Sequence, residues 1–281
     1  MGSGRRRRGD AGRYAEAEAA ARELRRRAQA TAAGTAASSA LPAHAGRAYV
    51  AACDQLGRAL LGQGRAEEAV REFEEALRAD PKAGLTHYNL ALALEAAGRW
   101  EEALKAAGQA LKWKPNLAPA HALTARLLLR RGEHRAAAET CRLALAADAD
   151  DLAARLLLAW LRAASPDDAV RDGAQAVALA RALCEATAWQ SVRCLDLLGA
   201  ALAESGRYGE AAQTVEQALA RLEAAERAGG AADQTAPEGS LLPPFDRAAL
   251  QERLRRYAQR QPYRMTAGPA AGPPRDGASV E

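Results

Sequence analysis

Small and apolar residues recur along this chain with one long period. The stretch 62–81, GQGRAEEAVREFEEALRADP, aligns with 96–115, AAGRWEEALKAAGQALKWKP, kind for kind. Gly64, Gly98 and Gly132 are 34 positions apart, and Ala69, Ala103 and Ala137 keep the same step. Ala76, Ala110 and Ala144 do so as well, followed by Leu77, Leu111 and Leu145. Within the first unit Ala69, Phe73 and Ala76 are spaced by four and three, which puts them on one face of a helix. The two alanines there allow close approach of a second helix, and Phe73 fills the space between them. Glu67-Glu68 and Glu101-Glu102 fall in the first turn, where negative charge suits the helix dipole. Asp80-Pro81 and Lys114-Pro115 stop these helices. Ala149 replaces the proline of the third unit, which predicts a weaker stop there. Each periodic glycine falls in the turn ahead of the helix, a place that tolerates a residue without Cβ. The pattern therefore predicts antiparallel helix pairs, helix A and then helix B.

The fourth unit is less regular. LAARLLLAWLRAA (152–164) reads as helix A, SPDDAVRDG as an enlarged turn, and AQAVALARALCEA as helix B. The fifth regains the pattern: Gly206, Tyr208, Ala211, Val215 and Ala218 take the turn and helix B places, and Leu198-Gly199 matches Leu56-Gly57.

A 34-residue helix–turn–helix period with small residues at fixed places resembles the tetratricopeptide-repeat (TPR) family. The resemblance implies an all-α fold, a right-handed TPR solenoid of antiparallel helix pairs. Residues 155–264 also resemble the closing segment of long bacterial TPR proteins. Trp160, Ser165, Pro166, Asp167, Arg171, Asp172, Gly173, Pro262, Tyr263 and Arg264 carry that likeness. Such segments occur beside varied partners, so this second resemblance implies no reaction.

The expected organisation follows. Residues 1–10 form a basic disordered start. Residues 11–44 hold an N-terminal helix, a half-repeat or a cap, and a linker. Residues 45–227 are the array of about five repeats with an irregular fourth. A linker at 228–243 leads to a capping helix at 244–264, with Leu250, Leu254 and Tyr257 at helical spacing, because a repeat array must cover its last apolar face. Residues 265–281, rich in Gly, Pro and Ala, read as a disordered tail.

Composition agrees with this reading. Apolar residues make up 49% of the chain and aromatics only 4%, so Ala and Leu dominate, and these are strong helix formers. With 39 basic and 35 acidic residues the net charge is +4, a mixed and solvated surface. Arg5–Arg8 is the one charge run, and offsetting acids across the repeats argue against nucleic acid as a partner. No stretch reaches the ~18 apolar residues of a membrane span. The charged start is unlike a signal peptide, so the default expectation is cytoplasmic. Cys53, Cys141, Cys184 and Cys194 form no C-x-x-C pair and read as small core residues. His44, His87, His121 and His134 form no H-E-x-x-H, and no phosphate-loop, dinucleotide or nucleophile-elbow motif occurs. No catalytic residue, cofactor or metal site is expected, and the chain reads as not an enzyme.

In the resembled fold, helices A line the concave face. Counting from the Leu-Gly place, the residues expected there include Asp54, Arg58, Leu85, Tyr88, Leu92, Arg126, Arg130, Trp160, Arg193 and Asp196, with Asn89 beside them. Arg58, Tyr88, Asn89, Arg126, Arg130, Trp160 and Arg193 are the candidate partner-binding groove, since arginine pairs with carboxylates and aromatics supply contact area. TPR domains that clamp a chaperone's C-terminal carboxylate use Lys and Asn at set places; Asn89 matches, but Asp54 stands where a Lys is wanted. The expected function is a non-catalytic scaffold or adaptor that holds a protein or peptide partner, acidic and with an apolar anchor. The alternative is the recruiting or regulatory tail of a larger enzyme system such as a glycosyltransferase.

Overall fold

The computed structural model describes residues 15–27 apart from 17 and 24, then 43–227 and 246–265. The sequence readings for 1–10, for the linker at 228–243 and for the tail after residue 265 lie outside the described residues. Among those described, every regular element is a helix. Helix α1 lies within 15–27. It is followed by α2 (Ala43–Gly62), α3 (Ala66–Ala79), α4 (Gly84–Ala96), α5 (Trp100–Trp113), α6 (Ala118–Arg130) and α7 (His134–Ala147). Then come α8 (Leu152–Ala164), α9 (Gly173–Ala186), α10 (Val192–Glu204), α11 (Tyr208–Arg227) and α12 (Arg247–Ala258). The chain divides into two compact units, residues 1–123 and 124–281.

In the first unit α2 packs on α3, α3 on α4, and α4 on α5. Phe73 of α3 is fully buried between Ala69 and Ala76. It lies so close to α2 that a Cβ on Gly57 would sit 2.7 Å from its ring. The turn from helix A to helix B closes the same way in each pair. Gly64 and Gly98 adopt φ +78° and +77°, and the next amide reaches back five residues, Arg65 N–H to Leu60 O at 3.0 Å and Arg99 N–H to Leu94 O at 2.8 Å. A residue in the left-handed region is what this helix ending requires, and glycine enters it without a Cβ penalty. The arginine that follows each glycine holds the glutamate three residues on: Arg65 Nε donates to Glu68 at 2.6 Å and Arg99 Nε to Glu102 at 2.8 Å. At the chain's start, α1 is tied to this unit by Glu18, which pairs with Arg65 at 2.9 Å and accepts from Gln63 Nε2 at 2.8 Å.

In the second unit each helix from α7 to α12 packs on the next. The weak stop predicted at Ala149 is corrected: α7 is 14 residues long, as α3 and α5 are, and ends in the same register. Asp148 is extended there, φ −146°, as Asp80 is at −137° and Lys114 at −135°. The side chain of Asp148 accepts from Asp150 N–H at 3.0 Å, as Asp80 accepts from Lys82 N–H at 3.0 Å beside Pro81, and Asp151 caps α8 through Ala154 N–H at 2.9 Å, so the aspartate turn forms with or without the proline. The enlarged turn between α8 and α9 is pinned from inside. Ser165 is fully buried and Val170 nearly so, Arg162 donates to Val170 O at 2.8 Å, and Asp172 caps α9 through Gln175 N–H at 2.9 Å. Gly173 starts α9 where a Cβ would meet Ser205 Oγ at 2.6 Å. Helix α12 covers α11 and touches α10, burying Leu250 and Tyr257, with Leu254 packed beside them.

Two consequences are measurable. Gly57→Ala drives a methyl group into Phe73, so thermal melting should register a loss of ~1–3 kcal/mol, whereas Gly108→Ala, with nothing within 4 Å of its new Cβ in α5, should be neutral or stabilising by ~0.5–1 kcal/mol. His134 opens α7 at only 5% exposure, and burial lowers its pKa while the nearby Asp167 pulls the other way. A folded pKa below the unfolded one means the unfolded chain takes up the proton first. Stability should therefore fall as pH drops through the ordinary imidazole range, and His134→Phe should flatten that slope in melts taken from pH 7.5 to pH 5.

Candidate functional site

Three of the expected groove residues belong to the first unit. Helix α2 presents Arg58 exposed, and α4 holds Tyr88 and Asn89 half-buried. Arg58 and Asn89 line one groove of about 590 Å³, with Gln55, Ala59, Leu61, Phe73 and Leu92 as its other walls and Ala20 of α1 at its edge. The three-residue spacing of Asn89 and Leu92 along α4 puts both on one face of that helix. Between the two helices Thr86 Oγ1 donates to Asp54 Oδ2 at 2.8 Å. Burial raises the Asp54 carboxyl, while hydrogen bonds from Thr86 and Asn89 and the charge of Arg58 hold it down. Asp54 thus anchors Asn89 and lies close to Arg58, so the groove has apolar walls and a single exposed guanidinium at its polar end.

The other four belong to the second unit. Arg126, Arg130 and Arg193 are half-buried on α6 and α10. Trp160, read from the sequence as a groove wall, is 1% exposed, and Asp196, read as facing the same surface, is fully buried. Both expectations of an open position are corrected, for one reason: the segment from α12 onward covers them. Arg253 of α12, itself 1% exposed, forms an ion pair with Asp196 at 2.9 Å. Its guanidinium lies 5.8 Å from the Trp160 ring centre and 4.6 Å from that of Tyr263. Burial raises the Asp196 carboxyl and Arg253 beside it pulls it down. Beyond this, Glu204 at the end of α10 pairs with Arg171 at 2.9 Å and with Arg264 at 2.7 Å. The spacing of Arg253, three after Leu250 and four before Tyr257, sets it on the buried face, but its charge spoke for solvent; Arg255, two residues on, is exposed.

The tetratricopeptide repeat family model matches residues 55–122. That stretch consists of tetratricopeptide repeats. No curated relative matches its sequence. Solved structures similar to it include MamA from Desulfovibrio magneticus RS-1, at 18% identity and TM-score 0.54 over 62% of this chain and 96% of that one. YrrB, described as a TPR protein with an unusual peptide-binding site, has 15% identity and TM-score 0.52 over 60% of this chain and 84% of its own. A tetratricopeptide repeat protein from Parabacteroides merdae ATCC 43184 has 15% identity and TM-score 0.51 over 87% and 98%. At these identities the likeness is one of fold.

Among the described residues, no group of three or more His, Cys, Asp or Glu is placed to hold a metal ion, and no helix is long and apolar enough to cross a membrane. Cys53, Cys141, Cys184 and Cys194 are all buried as free thiols, and burial pushes Cys53 up to about 11, far from a reactive thiolate.

The buried Asp196–Arg253 pair yields a double-mutant test. Removing one partner strands the other's charge, so Asp196→Ala or Arg253→Ala should each cost ~3–5 kcal/mol in urea unfolding, and Asp196→Leu with Arg253→Met should recover most of it.

Proposed function

We propose that this protein is a scaffold that holds a segment of a protein partner in the groove between α2 and α4 of the first unit. The observation that carries the reading is the groove itself: about 590 Å³ with Leu61, Leu92, Ala59 and Phe73 as apolar walls and Arg58 and Asn89 at one end. An apolar side chain fits the walls, and a carboxylate beside it meets the Arg58 guanidinium and the Asn89 amide. The ligand is therefore an acidic segment with one apolar anchor. TPR proteins are in general carriers of partners and not catalysts, and the peptide-binding site named for YrrB supports a peptide ligand here by analogy of fold.

The test is a screen of acidic peptides carrying a Leu, Phe or Trp, followed by titration of the best binder against variants. Arg58→Ala and Asn89→Ala should each weaken binding by ~1–2 kcal/mol, a factor of about 5–30, and added salt should slow association more than it speeds release. Equal affinity for parent and both variants would place the partner elsewhere and end this assignment.

A further inference from the structure

We propose that the helix-A face of the second unit, formed by α8 and α10, is a binding site for a short extended segment in which an aromatic residue precedes an arginine, and that the chain's own Pro262–Met265 fills it as a tethered competitor. The site is separate from the α2–α4 groove and stands or falls independently of it.

After α12 the chain runs without helix or strand from 261 to 265, and it makes the contacts a bound peptide makes. The Tyr263 ring stands edge-on to Trp160, centres 6.4 Å apart at 75°. Arg264 pairs with Glu204 at 2.7 Å. Met265 donates its backbone N–H to Ala164 O at 2.8 Å. Ala164 ends α8 and Glu204 ends α10, so this face offers helix-terminal carbonyls that no intrahelical amide claims. Such acceptors take any backbone, and the Trp160 ring and the Glu204 carboxylate then select the two side chains.

The face is built independently of its occupant. Glu204 is held by Arg171 at 2.9 Å, and Arg171 is itself fixed by donating to Ser165 O at 2.8 Å. Trp160 Nε1 is buried and has no hydrogen-bond partner among the described groups, so the site carries a donor that the chain's own segment leaves unused. The approach of that segment is also costly. Arg260, which turns the chain out of α12, adopts φ +56°, a region that disfavours residues other than glycine; Gly64, Gly98 and Gly206 fill the equivalent helix-ending place in the repeats. Pro262, Tyr263 and Arg264 stay half-buried and Met265 is buried, while Leu250, Arg253 and Tyr257 of α12 are fully enclosed.

The experiment uses the full chain and a fluorescent peptide of residues 260–265, Arg-Gln-Pro-Tyr-Arg-Met. Anisotropy titrations compare the parent with a Tyr263→Ala, Arg264→Ala double variant whose fold is checked by circular dichroism. A tether presents its segment at roughly millimolar effective concentration, so emptying the site should tighten peptide binding by at least about tenfold. Peptides with alanine in place of the tyrosine or of the second arginine should bind the emptied variant at least about tenfold more weakly, the scale of one lost anchor. Should the double variant unfold, Arg264→Glu alone sets a carboxylate against Glu204, vacates the same place and carries the same comparison. Equal affinity for parent and emptied variant, equal affinity for the peptide and its alanine forms, or no binding to a folded variant would each overturn the proposal and leave Pro262–Met265 as a structural clasp only.

Discussion

How near helix A can come to helix B depends on which side chains are missing at their crossing. In the first repeat the Gly57 backbone lies against the Phe73 ring, and in the fifth Gly199 lies so near Val215 that a Cβ would come within 2.6 Å of its side chain. The alanines on either side, among them Ala69, Ala76, Ala211 and Ala218, are completely buried. The first and fifth pairs are thus small-residue crossings with one larger side chain as filler, and in the second pair the places of Gly57 and Phe73 are held by the buried Ala91 and Ala107. That arrangement gives interiors their density, and it fixes the angle at which successive pairs present their helices A. The grooves on those helices are consequences of the crossing, since their walls are whatever side chains point away from it.

A second constraint acts where the stack stops. An array of identical pairs leaves its last helices with apolar surface in water, and here α12 covers that surface. The cover is not purely apolar. Asp196 and Arg253 lie against each other with almost no exposure, and a buried ion pair of this kind stabilises less than a hydrophobic pair of equal volume would. What it adds is selectivity, because a helix that slid by one residue would leave two charges buried and unmatched. Around it Trp160, Tyr263, Glu204, Arg171 and Arg264 form a polar and aromatic seam that ties α8, α10 and the segment after α12 together.

The two units therefore present their helices A differently. In the first, Arg58 is exposed and Asn89 half-buried beside apolar walls. In the second, Trp160 and Asp196 lie beneath the protein's own closing segment, while Arg126, Arg130 and Arg193 stay half-buried. An open groove suits a ligand drawn from another protein. A filled one behaves as a site whose affinity for any outside ligand is reduced by the occupant it must displace.

Read alone, the sequence determined the helices of the repeats and their pairing: α8 spans the expected 152–164, whereas the closing helix expected over 244–264 is shorter, Arg247–Ala258. Those features are local. They follow from a 34-residue period, from glycine at a left-handed turn and from small residues at helical spacing, all of which are written in neighbouring letters. The stop of α7 was misjudged because an aspartate can end a helix as well as a proline does, through its own hydrogen bonds. That Arg58 and Asn89 line one cavity was legible because α2 and α4 are helices A of successive repeats, and the period carries each place from one to the next. Trp160, Asp196 and Arg253 were not, because the residue that covers Asp196 lies 57 positions further along the chain, and that covering Trp160, Tyr263, 103 positions further. Whether a tryptophan lines a groove or lies under a clasp depends on contacts across such separations, and only the tertiary structure decides them.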